Sequence, residues 1–319
     1  MWEHTYQLTL SMIEKPYVGW DFPPYTSQYV NISEDSLRVT PGADCREDAY
    51  RIFIFGGSTL WGYGSPDFGT IPAYVQTALD EALDRPICVQ NYGELAFNST
   101  QEFLSFALQV RQGNVPDMAI FYSGVNDVRS GVLNNAAGQP YNLSVVRQGI
   151  SRNTNPFIEA LRENFHLVNN LVTSPMTYPS NPDALQPHLA DQVVEMYQEN
   201  QRITQAVADA YGVRAVFLWQ PEIINCGKTL TPHEQQQLAL TGEINIQLYS
   251  QVYQRIAPLA AASTEDNFYS VATVNEWITN PEGEMFIDSN HMLPPGNEIM
   301  GRTIASIVLP YIETDTGVN

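Results

Sequence analysis

The strongest constraint on the fold is a repeated pattern: a short apolar run, a turn, then a segment with helical spacing. Arg51–Phe55 is too short for a helix and rich in Ile and Phe, which suits a strand covered on both faces. It runs into Gly56-Gly57-Ser58, and Ile71, Val75, Leu79 and Leu83 then recur at helical spacing. Ile87–Asn91 is a second run, ending in Tyr92-Gly93, before the helical spacing of Gln101–Arg111. Met118–Tyr122 is the third, closed by Ser123-Gly124. Val213–Trp219 and Phe268–Ala272 are the fourth and fifth, each preceded by a long expected helix, His188–Tyr211 and Pro232–Ala262. The second of these is expected to break near Gly242 and to end near Pro258, and a last helix is expected over Glu298–Ile307. Strands alternating with helices predict an α/β fold with a parallel sheet wound by right-handed crossovers. Ligands of such sheets sit at the carboxyl ends of the strands.

Outside this alternation lie three segments. Residues 1–48, rich in aromatics and prolines and without helical period, are expected to form an extended arm or hairpin packed on the main domain at 49–312. Residues 128–186 read as an insertion that could serve as a lid or specificity wall, with a helix near Pro156–Asn170. Residues 313–319 are expected to be a frayed tail.

The chain of 319 residues carries 35 acidic and 15 basic residues, a net charge of -20. Such a field repels nucleic acid and anionic membrane surfaces, so neither is expected as a partner. No run of about 18 apolar residues predicts a membrane segment. The N-terminus lacks the basic-then-apolar pattern of a signal, and a secreted, periplasmic or anchored location through a segment ahead of Met1 stays open. Cys45, Cys88 and Cys226 form no CxxC pair, so neither a zinc site nor a disulfide framework is indicated, although one disulfide can form. His4, His166, His188 and His233 lack partners at ligand spacing, and Gly62-Tyr63-Gly64 lacks the third glycine of a dinucleotide fingerprint, so no metal or cofactor is expected. Asn31, Asn98 and Asn142 open glycosylation sequons, a weak three-residue pattern.

Ser58, Gly93, Asn126 and the pair Asp288 and His291 stand at or beyond the ends of successive strands. On its own Gly56-Gly57-Ser58 is an ordinary turn; together with the others it supplies what hydroxyl-based acyl transfer requires. A serine hydroxyl becomes a nucleophile when an imidazole removes its proton, the role open to His291. An acid three residues earlier, Asp288, can hold the other ring nitrogen and fix the tautomer. The backbone amides of Ser58 and Gly93 and the side-chain amide of Asn126 are the expected donors to an oxyanion. Asp127 reads as a brace for the Asn126 loop. Trp61, Tyr63, Tyr122, Trp219 and Trp277, near strand ends, are candidates for a sugar-stacking or acyl-binding wall, core packing being the alternative for each. Arg129 could meet an anionic substrate group or be structural.

These four blocks, Gly-Gly-Ser58-Thr, Asn-Tyr-Gly93, Gly-Val-Asn126-Asp and Asp288-Ser-Asn-His291, in this order over residues 51 to 307, resemble those of the SGNH hydrolases, the GDSL-type esterases and lipases. The resemblance implies a three-layer α/β/α sandwich, flavodoxin-like, with a five-stranded parallel sheet. It also implies a serine ester hydrolase that works through an acyl-enzyme without metal or cofactor, on a small-molecule or glycan ester such as an acetylated carbohydrate. O-acyl transfer by the same triad, or glycan binding without catalysis on the same fold, are the other readings. Gly57 stands where the name-giving motif has an acid, and Gly56-Gly57-Ser58-Thr59-Leu60 lacks the second glycine of a G-x-S-x-G nucleophile elbow.

Overall fold

The computed structural model describes residues 8, 9, 11–141, 184–263, 267–274 and 283–315. Two short strands, β1 (Ile13–Lys15) and β2 (Gly19–Asp21), pair antiparallel in the N-terminal arm. The main sheet holds β3 (Tyr50–Gly56), β4 (Ile87–Gly93), β5 (Met118–Ser123), β6 (Arg214–Trp219) and β7 (Phe268–Ser270). Its spatial order is β4-β3-β5-β6-β7 and every pairing is parallel. Gly56 is level with both Gly93 and Tyr122, so the carboxyl ends of the three central strands form one edge.

The two-residue period of the strands divides their side chains between two cores. Ile52, Ile54, Ile120, Tyr122, Val216 and Leu218 join one core, with α2 (Ile71–Ala82) and α8 (Pro294–Thr314). Phe53, Phe55, Phe121, Phe217 and Trp219 join the other. That second core is covered by α3 (Ser99–Arg111), α4 (Val125–Asn134), α5 (Leu189–Tyr211) and α7 (Glu243–Ala261). The short α1 (Ser58–Trp61) follows β3, and α6 (Pro232–Thr241) precedes α7. Helices on both faces of a parallel five-stranded sheet are the three-layer sandwich expected.

Helix ends differ from the expectations where capping and packing outweigh local signals. α3 starts at Ser99 because Asn98 and Gln101 form a reciprocal capping box. α4 fills the beginning of the stretch read as an insertion, with Val125, Val128 and Val132 buried at helical spacing. The helix expected near Pro156–Asn170 lies outside the described residues. α7 runs through Pro258 to Ala261, with Ile256 buried and Leu259 and Ala260 packed on the second core. α8 begins at Pro294, where a missing N–H costs no helical hydrogen bond. It reaches Thr314, and Asp315 accepts hydrogen bonds from the Tyr50 hydroxyl at 2.7 Å and from Arg214 at 3.2 Å. Residues 313–315 of the expected tail are thus held on the domain, and 316–319 lie outside the described residues. Among the described residues no helix is long and apolar enough to cross a membrane.

The arm is tied to the domain by a Cys45–Cys88 disulfide, leaving Cys226 free and buried. Phe22, Val30 and Ile32 bury against Trp61, and Val18 and Trp20 against Phe97. Arg38, with its side chain wholly buried, pairs with Asp67 and donates to the carbonyls of Trp61, Gly62 and Ser65. One arm residue thus satisfies the carbonyl end of the turn that carries Ser58.

Candidate active site

Ser58 is the first residue of α1, after Gly57 in extended conformation. A Cβ on Gly57 would lie 2.2 Å from Nδ2 of Asn126 and 3.3 Å from the Phe97 carbonyl. A side chain at 57 would require the Asn126 amide, as placed here, to shift, and glycine leaves that amide in its position against the Phe97 carbonyl.

His291 Nε2 lies 2.7 Å from Ser58 Oγ, and His291 Nδ1 lies 2.7 Å from Asp288 Oδ2. An ionised carboxylate can only accept, so Nδ1 carries the proton and Nε2 is left to accept from the serine hydroxyl. The second Asp288 oxygen accepts the backbone N–H groups of Asn290 at 3.0 Å and His291 at 2.8 Å. Burial works to raise the pKa of Asp288, but the hydrogen bond and charge of His291 and these two amides outweigh it and hold the carboxyl well below the usual range. The Tyr63 ring lies against the imidazole, centroids 4.7 Å apart.

The loop that carries Asp288 and His291 is closed on itself and anchored behind. Ile287 N–H donates to the His291 carbonyl and Leu293 N–H to the Met285 carbonyl. Glu234 on α6 accepts from the amides of Met285 and Phe286, and its other oxygen accepts from Thr231 N–H and from Lys228. The Lys228–Glu234 pair is fully buried at 2.6 Å, and its hydrogen bonds overcome burial to hold Glu234 below its ordinary value. His233 Nε2 also meets the Ile287 carbonyl. Arg129 donates to Asn290 Oδ1 at 3.1 Å, and the Asn290 amide reaches Thr59 Oγ1 at 3.4 Å, joining this loop to the turn that carries Ser58.

The opposite side of Ser58 is formed by residues 94–98 and Asn126. Asn126 Nδ2 donates one N–H to the Phe97 carbonyl at 2.7 Å and keeps a second. Gly93 does not take its expected place. Its N–H donates to Asn91 Oδ1 at 2.9 Å, and a Cβ there would lie 2.5 Å from the Trp61 amide nitrogen. Gly93 is glycine because α1 packs onto it, and its amide is consumed inside β4. Three residues on, Ala96 holds φ at +62°, unusual for a residue with a side chain, and its N–H has no acceptor among the described residues. A free amide one residue before the carbonyl that receives Asn126 is the better candidate donor, and no residue-type signal marks it.

The arm and three buried acids brace this loop. Trp20 Nε1 donates to the Leu95 carbonyl at 2.9 Å, and the Trp20 ring meets Phe97 edge-on. Gln101 Nε2 donates to the Val18 carbonyl at 2.7 Å. Glu94 lies beside Asp21, which pairs with Lys15; burial and then the Asp21 charge push Glu94 well above its ordinary value. Asp127 accepts from the backbone and hydroxyl of Ser99, the brace expected for it, and burial pushes it up to about 6 against those bonds. Glu102, hydrogen-bonded to Ser123, is raised well above its ordinary value by burial and then by Asp127.

Of the residues proposed as a substrate wall, Tyr63 and Arg129 reach the site. Trp61, Tyr122 and Trp219 do not, and correct the expectation. Trp61 is buried between Phe22 and the Arg38 guanidinium, Tyr122 lies in the first core, and the Trp219 ring sits under Gly124. The strand period sends the last two into the layers below the sheet edge. Trp277 lies outside the described residues. Asn98 is a buried helix cap, which removes it as a glycosylation site, while Asn142 is not described. No cluster that could hold a metal is present among the described residues.

Residues 52–304 match the family described as GDSL-like Lipase/Acylhydrolase. Similar solved structures include an esterase, EstA, from Pseudoalteromonas sp., at 12% identity over 83% of this chain and 100% of that one, TM-score 0.42. Another is a lipase/acylhydrolase from Enterococcus faecalis, at 12% identity over 82% of this chain and 96% of that one, TM-score 0.43. A lipolytic protein of the G-D-S-L family from Veillonella parvula is 12% identical over 83% of this chain and 98% of that one, TM-score 0.43. No curated protein matches the chain.

Proposed function

Since the chain belongs to the GDSL-like lipase/acylhydrolase family, we propose that it is a serine esterase of short-chain O-acyl esters, with Ser58 as nucleophile, His291 as base and Asp288 orienting the base. The observation that carries this reading is the unbroken relay from Ser58 Oγ through both nitrogens of His291 to Asp288, with both contacts at 2.7 Å. In the proposed reaction Ser58 Oγ attacks the ester carbonyl while His291 Nε2 takes its proton. The tetrahedral oxyanion is met by the N–H groups of Ser58 and Ala96 and by the second N–H of Asn126 Nδ2. Collapse breaks the bond to the alcohol, which leaves with the proton from His291 and leaves an acyl group on Ser58. Water, deprotonated by His291, attacks that acyl group; the bond to Ser58 Oγ breaks, Oγ takes the proton back from His291, and the acid is freed.

Acetyl groups on carbohydrate are the proposed natural esters. With Trp61, Tyr122 and Trp219 in the cores, the support for this preference is the polar lining beside the relay rather than an aromatic wall. Ser58→Ala tests the assignment with p-nitrophenyl acetate: turnover is expected to fall roughly 10⁴-fold or more with the fold unchanged by circular dichroism. Retained turnover would overturn it.

A further inference from the structure

On the acid's side of the relay lies a pocket of about 200 Å³. Its wall is built by Arg129 of α4, Gln237 and Thr241 of α6, Asn245 of α7, and Asp288 and Ser289 of the loop that carries the base. At about 30 Å³ per water this volume holds roughly seven waters, the size of one sugar ring rather than of a long chain.

The lining decides what kind of group fits. Leu240 is the one aliphatic side chain around it, and that residue is 71% exposed at the rim, so an acyl tail would gain little by burial. An anion would meet Arg129 but also the ionised Asp288 in a chain of net charge -20. A cation would meet Asp288 but also the Arg129 guanidinium. What remains suited is a neutral group with many donors and acceptors. Arg129 spends one N–H on Asn290, and its four others have no acceptor among the described residues. Asn245 donates to the Thr241 carbonyl and keeps its own side-chain oxygen as an acceptor, and the Gln237 amide has no partner among the described residues. These groups come from helices that pack on the core, so the pocket exists before any ligand arrives.

We propose that this pocket is the subsite for a sugar ring of the ester's alcohol portion, with Gln237, Asn245 and Arg129 hydrogen-bonding its hydroxyls. The proposal rests on the esterase reading and adds to it where the alcohol binds. The pocket meets the relay at Asp288, on the Nδ1 side of His291, while the departing oxygen takes its proton from Nε2, which faces Ser58.

The test compares two esters and one free sugar. In Gln237→Ala/Asn245→Ala, the ratio of kcat/KM for an acetylated xylo-oligosaccharide to that for p-nitrophenyl acetate should fall about tenfold, the loss of two ligand hydrogen bonds. In the unaltered protein, deacetylated xylotriose should inhibit p-nitrophenyl acetate hydrolysis competitively, a readout that does not depend on the variant folding. An unchanged ratio, or hydrolysis of the aryl ester with neither cleavage of the glycan ester nor inhibition by xylotriose, overturns the subsite and leaves the esterase standing. Failure to cleave either ester overturns the esterase reading itself.

Discussion

The two flanks of Ser58 are held by opposite means. On the His291 flank the buried carboxylates are bonded: Asp288 to the His291 ring and Glu234 to Lys228. On the Ala96 flank the buried acids Glu94, Asp127 and Glu102 have no cation bonded to them among the described residues, and burial pushes all three up. That flank also depends on the arm, through Trp20 and Gln101, whereas the loop from Met285 to Leu293 closes largely upon itself. One flank is thus held by bonded carboxylates, and the other by the arm and by buried carboxyls whose pKa values burial raises.

The largest effect should come from the His291 flank. Asp288→Asn keeps the shape of the loop but leaves the imidazole without its orienting charge, and kcat should drop about 10⁴-fold in steady-state assays. A loss of less than tenfold would mean that His291 is oriented by something else. Removing a donor on the other flank should cost less: Asn126→Ala is expected to lower kcat by about 10²–10³ with little change in KM, measured on p-nitrophenyl acetate. A change confined to KM would place Asn126 in substrate binding instead.

Trp20→Ala should act through the same donors and lower kcat by roughly tenfold, because small displacements of positioned groups are costly. The sharper readout is coupling. In an Asn126→Ala background the added cost of Trp20→Ala should shrink, whereas a general loss of stability would add in full.

The smallest and most diffuse effect is on stability against pH. The folded value of Asp127, about 6, lies above the ordinary value of 3.8, so the native state holds more protons between the two. Stability is therefore lost as pH rises through that window, on the order of 3 kcal/mol for this group. Glu94 and Glu102 shift in the same direction. Asp288 and Glu234 shift the other way, and their contribution is lost only as pH falls through values below the usual carboxylate range. Melting temperature should thus rise by several degrees from pH 8 to pH 5. A steady fall over that range would remove the contrast between the flanks.

The same contrast explains what could be read from the chain. The juxtaposition of Ser58, Asp288 and His291 is legible because glycines mark the turn that carries Ser58 and the carboxyl and imidazole lie three residues apart in one loop. The parallel sheet was legible because each core strand is a short apolar run. Glycine at 93 reads as the mark of an amide offered to substrate, whereas in the structure it lies where α1 packs closely and its N–H meets Asn91. Ala96 carries no such mark; its role depends on a backbone angle and on a hydrogen bond that its neighbour receives from Asn126. Gly57 became intelligible only with Asn126 in place beside it. Trp61, Tyr122 and Trp219 show the same limit, since position near a strand end does not say which layer a ring enters.

The most direct measurement is covalent capture of the nucleophile. Intact mass and peptide mapping after treatment with a fluorophosphonate should find one adduct, on Ser58, formed far more slowly in His291→Ala. No adduct, an adduct on another residue, or equal labelling in His291→Ala would contradict the account.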